Sequence, residues 1–114
     1  MDTPSIGSLD REVALARMGG DEELLKEIAA LFLENYQDWL RDLRQATARG
    51  DALMVERTAH GLKGSVANFG ARNAVEASLN LEHLGRTRDL AGATESLAAL
   101  EVALETLRGD LESL

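Results

Sequence analysis

The sequence predicts an all-α protein, an antiparallel four-helix bundle with a short additional N-terminal helix. Three observations carry this. Apolar residues recur at three- and four-residue steps over long stretches. No segment shows a convincing period of two, and no Asn-Gly or Asp-Gly turn separates β-branched runs. The one proline, Pro4, precedes every periodic segment, so no later helix is broken by a proline ring.

The elements follow in order. Residues 1–8 read as a flexible leader, and residues 9–114 as one bundle domain. A short helix runs from about Asp10 to Met18 and stops at Gly19-Gly20. Asp21 suits the N-cap of a second helix, with Glu22 and Glu23 at the positive end of its dipole. Its apolar stripe is Leu25, Ile28, Phe32, Trp39, Leu43 and Ala46, and Gly50 suits the left-handed position after it. Asp51 caps a third helix, which ends before Gly70. A fourth is expected from about Ala71 to Leu84, stopped by Gly85. A fifth is expected from an Asp89 cap to about Leu111, through Leu90, Leu97, Leu100, Leu104 and Leu107. Four substantial helices with short connections pack most simply as an antiparallel bundle, with the short first helix as a lid.

Bulk properties narrow the function. The 114 residues allow one hydrophobic core, with 45% apolar and 28% charged residues. The absence of cysteine removes disulfides and thiolate metal sites. The longest useful apolar run, Ile28 to Leu33, is far too short to span a membrane, and Met1 to Glu12 do not resemble a signal peptide. A cytoplasmic location is expected. A net charge of −8 disfavours nucleic acid and anionic membrane as partners. The cations Arg57, Lys63, Arg72, Arg86 and Arg88 fall in the middle, a basic island on an acidic chain that suits an anionic ligand or acidic partner. For most of these charges a solvated face suffices as explanation.

The chemistry concentrates in the third helix. At about 100° per residue, Val55, Ala59, Leu62, Val66 and Phe69 gather on one face, which must be core. His60 points roughly opposite, on a face shared with Glu56, Arg57, Lys63, Gly64 and Ala67. A histidine side chain titrates near ~6.5, so at neutral pH it offers a neutral, nucleophilic ring nitrogen. Lys63, at i+3, lies where it would offset the charge of an incoming phosphoryl group. Gly64 removes a side chain where that group and a partner surface must approach. Mid-helix glycine costs about 1 kcal/mol against alanine, so Gly61 and Gly64 beside the histidine need a reason. Helix packing is the ordinary one, and the outward direction of Gly64 argues against it. The other histidine, His83, reads as a surface residue compensating the dipole at a helix end.

The run Ala59-His60-Gly61-Leu62-Lys63-Gly64-Ser65, followed by Gly70-Ala71, resembles the signature of histidine-containing phosphotransfer (HPt) domains of two-component phosphorelays. The stretches Leu40 to Asp51 and Leu81 to Arg86 resemble the family's flanking pieces, and the likeness covers roughly residues 9 to 108. The resemblance implies a four-helix bundle whose histidine exchanges a phosphoryl group with an aspartate of a response-regulator receiver domain. It implies that Lys63 steadies the group and that Gly64 keeps access open. Many members place a polar residue, often glutamine, against the histidine from the next helix. The matching position here is Glu82, a departure, expected to orient the ring although its charge would repel a nearby phosphoryl group.

On this reading the chain is a phosphocarrier without its own ATP site, free-standing or part of a hybrid histidine kinase. Mg²⁺ would come with the receiver, and the chain itself needs no cofactor or metal. Arg57, Ala67 and Arg86 are expected to contact the partner, and a monomer is expected. Gly61 to Ser65 is no nucleotide loop, because lysine and glycine are in the wrong order and no strand precedes them. The alternatives are the phospho-accepting domain of a chemotaxis-type kinase and a non-catalytic helical adaptor. A di-iron bundle would need repeated Glu-x-x-His pairs, which the chain lacks. A Ser-His-Asp hydrolase is weaker, since Ser65 and His60 share one helix with no nucleophile elbow.

Overall fold

Three aspartates start the first three helices. In the computed structural model, which describes residues 8–114, Asp10, Asp21 and Asp51 each accept a hydrogen bond from the backbone N–H three residues on. Each thereby satisfies a donor that the helix cannot pair internally. The helices are α1 (Arg11–Arg17), α2 (Glu22–Arg49), α3 (Ala52–Ala67), α4 (Arg72–Thr87) and α5 (Ala93–Glu112). Gly50 closes α2 in the left-handed conformation, as the sequence predicts. No strand occurs among the described residues. The expected leader lies outside the described residues except for Ser8, which is buried.

Helices α2 to α5 form a closed ring, each packed on its neighbours, with α5 returning to α2. Short connections make successive neighbours antiparallel. The core holds Leu25, Phe32, Leu43, Val55, Leu62, Phe69, Leu81, Leu100, Leu104 and Leu107 among others. Phe32 stacks on Tyr36 and meets the edge of Phe69, with centroids 5.5 Å apart in both pairs. The buried stripe of α2 is wider than expected. Ala29, Tyr36 and Leu40 are buried, while Ile28 and Trp39 are only half-buried. The reason is that α2 packs on α3 along one edge and on α5 along the other.

Two boundaries differ from the sequence reading. Helix α4 runs through Gly85 to Thr87 and closes on Arg88, which adopts the left-handed conformation with φ 60°. Gly85 is a packing residue. A Cβ there would lie 2.6 Å from the backbone N of Glu56 and 2.7 Å from the carbonyl O of Ala52. Helix α5 starts at Ala93 behind Gly92, and Asp89 instead accepts from the N–H of Ala91 within the connecting turn.

Helix α1 is tied down through the two residues that lead into it. The Asp10 N–H donates to the carbonyl of Phe69 (2.8 Å), and the Leu9 N–H donates to Asp110 on α5 (3.1 Å). This places α1 across the end of α3, beside Gly70.

Candidate functional site

The inward set on α3 is as the sequence predicts: Val55, Ala59, Leu62, Val66 and Phe69 are all buried. Their burial fixes the helix rotation, so His60 points out, with a side chain 68% exposed. Gly61 and Gly64 flank it with open space where a side chain would stand.

Glu82 reaches the ring from α4. The backbone contact at Gly85 draws α4 against α3 one turn away, and Glu82 sits in the resulting seam with only 4% of its side chain exposed. Its two oxygens divide their partners. Oε1 accepts from Lys63 Nζ at 2.6 Å. Oε2 lies 2.7 Å from His60 Nδ1 and accepts from Arg86 Nη2 at 3.1 Å. Arg86 Nε also donates to Glu56 Oε2 at 3.3 Å, so Lys63, Glu82, Arg86 and Glu56, from two helices, form a linked network that meets the histidine through Glu82.

The electrostatics fix the tautomer. The hydrogen bond from Lys63 holds the Glu82 carboxyl below its ordinary value of 4.5, assisted by that from His60, while burial opposes both. The Arg86 guanidinium, more than half exposed, is shared between Glu82 and Glu56. An ionised carboxylate only accepts, so the Nδ1 contact requires the proton on Nδ1. The neutral ring then carries its lone pair on Nε2. A tethered, exposed ring of this kind is a nucleophile with a fixed direction.

The sequence placed Lys63 as a cation waiting for an anion; in the structure it is already paired. Arg86, expected at a partner rim, is half committed to Glu82 and Glu56. Arg57 is exposed and forms no ion pair among the described residues. Ala67 is half-buried two turns along from His60, where it helps line a cleft with Val13, Arg17, Arg72 and Val75. Sequence reasoning placed Glu56 on the face of His60 but gave it no role, although Glu56, His60 and Lys63 at i, i+4 and i+7 share one flank of α3. It missed Leu79, 47% exposed on α4 between Val75 and Glu82. A larger cleft of about 580 Å³ between α4 and α5 lies away from His60.

The fold and this constellation define a class. The model of the Hpt domain family matches residues 27–110, most of the chain, and the chain belongs to that family of phosphocarrier domains. Among solved structures it is similar to histidine-containing phosphotransfer protein B (HptB) from Pseudomonas aeruginosa PAO1. That match has 26% identity and a TM-score of 0.86, covering 96% of this chain and 95% of the other. No curated protein sequence matches the chain significantly. Family and fold support a histidine phosphotransfer role, and no helix among the described residues is long and apolar enough to cross a membrane.

Proposed function

We propose that His60 Nε2 accepts a phosphoryl group from a phosphoaspartate of a response-regulator receiver domain and returns it to one. The observation that carries this is the Nδ1···Glu82 contact of 2.7 Å on a ring that is otherwise exposed. The Nε2 lone pair forms the N–P bond, and the bond from phosphorus to the aspartate oxygen breaks with its electron pair leaving on the carboxylate. The proton on Nδ1 stays between the ring and Glu82, so the phosphorylated ring is a cation beside an anion. In such a transfer the protein contributes positioning and charge neutralisation. Lys63, half-buried beside the ring, is within a side-chain rotation of the incoming oxygens, and Gly64 leaves their path open.

Among the described residues no three His, Cys, Asp or Glu side chains gather where a metal ion could be held, and the proposal assigns Mg²⁺ to the receiver. The docking face on this reading runs from His60 past Gly64 and Ala67 to the exposed apolar side chains of Leu79 and Val13. Arg57, Arg17 and Arg72 rim it and would steer an acidic partner. The encounter takes place in the cytoplasm between a monomeric carrier and its receiver.

The test is transfer from a phosphorylated receiver to the wild type and to His60→Gln. Acid-labile, base-stable label on the wild type and none on the variant is expected. Failure of several receivers and a histidine kinase to label the wild type would favour a non-catalytic adaptor. Faster labelling by a kinase domain than by any receiver would favour the chemotaxis-type assignment.

A further inference from the structure

The two cations on Glu82 are not equivalent. Lys63 shares a helix with His60, holds Oε1 alone, and ends a flexible four-carbon stem. Arg86 shares a helix with Glu82 and is held at two points, Nη2 on Glu82 and Nε on Glu56 of α3. A planar guanidinium gripped at both ends moves less than an ammonium gripped once. If Lys63 turns to a phosphoryl group on Nε2, Oε1 loses its donor, and a nearly buried carboxylate is left in need of a counter-charge. Only Arg86 then remains on Glu82 besides the ring itself.

We infer that Arg86 is a positioning residue of the phosphoacceptor: braced by Glu56, it keeps the Glu82 carboxylate on His60 Nδ1 while Lys63 is free to leave. The inference rests on the proposed role of His60 and deepens it. It gives the site a division of labour, with one exchangeable cation for the phosphoryl group and one fixed cation for the ring-orienting carboxylate. It also explains why a carboxylate is tolerated where a neutral amide would avoid repulsion. The charge of Glu82 never faces the phosphoryl group uncompensated. Among the described residues no other cation pairs with Glu82, and neither Arg57 on α3 nor His83 on α4 does.

The experiment reads the protonation of the His60 ring by ¹⁵N spectroscopy, without any phosphoryl donor, in wild type, Lys63→Gln, Arg86→Gln and the double variant. Lys63→Gln mimics the departed ammonium. It should keep Nδ1 protonated, whereas the double variant should lose that preference by about threefold, a ratio that a partly exposed ion pair of ordinary strength supports. Glu56→Gln, which touches neither His60 nor Glu82, should shift the Lys63→Gln background in the same direction. Loss of Nδ1–H in Lys63→Gln alone, or its retention in the double variant, overturns the inference. A parallel arm labels His60 with phosphoramidate and follows transfer to a receiver, which Arg86→Gln should slow. If wild-type His60 takes no label from phosphoramidate or receiver, the carrier reading fails, and the ring spectra still decide whether Arg86 holds Glu82.

Discussion

Replacing Gly85 by alanine tests whether the α3–α4 seam is as tight as the site requires. The added Cβ would sit 2.6 Å from the Glu56 nitrogen, about 0.8 Å short of the 3.4 Å at which ordinary contact begins, with the Ala52 oxygen and Glu56 Cα also under 3 Å. All three are backbone atoms, so no rotamer change relieves the clash. Overpacking of this kind costs about 1–3 kcal/mol, and rigid neighbours place Gly85→Ala in the upper part of that range. Alanine returns about 1 kcal/mol of helix propensity, leaving a net loss of about 1–2 kcal/mol. Gly61→Ala is the control, because it makes the same chemical change with nothing within 4 Å and should gain ~0.5–1 kcal/mol. Urea unfolding followed by far-UV circular dichroism measures both. In a thermal melt Gly85→Ala should lower Tm by roughly 4–12 °C. A Gly85→Ala protein as stable as wild type would refute the reasoning.

Gly64→Ala should also stabilise the fold, by ~0.5–1 kcal/mol, because its Cβ meets nothing. It should nevertheless slow transfer from a receiver, and slow it more than labelling by the small donor phosphoramidate, which a two-donor comparison would show. Arg88→Gly relieves a left-handed residue at the end of α4 and should raise stability by ~0.5–1 kcal/mol in the same unfolding assay. The carboxyl of Glu82 is held below 4.5, so its ionised form stabilises the fold above that pH, and the contribution is lost as pH falls through the lowered folded value. The unfolding free energies of wild type and Glu82→Gln, measured against pH, should therefore differ near neutrality and converge in acid below 4.5. Phe69→Ala removes a buried ring packed edge-on to Phe32 and should cost about 3–5 kcal/mol by urea titration.

Much of the fold was legible because local chemistry and tertiary packing agree. Aspartate before an apolar-periodic run marks the starts of α1, α2 and α3, and the cap hydrogen bonds are present in each. The α4–α5 connection was misread because glycine has two uses that a single sequence does not separate. Gly85 looked like a stop and is a contact point between helices, while the left-handed stop fell on Arg88, a residue with no preference for it. At the site, the rotation of α3 was set by its apolar residues, so the exposure of His60, Gly61 and Gly64 followed directly. The network around Glu82 did not follow. It depends on the register of α4 against α3, and no periodicity within one helix carries the register between two.

His60 stands in the middle of a 16-residue helix, on an open surface rather than in a cavity. On the proposed reading, a phosphoryl group parked there is in contact with bulk water, and none of the described residues closes over it. The domain then has no timer of its own. How long a signal persists becomes a competition between spontaneous hydrolysis and the arrival rate of an acceptor, so the cellular concentration of receivers, more than any property of the bundle, sets the memory of the circuit.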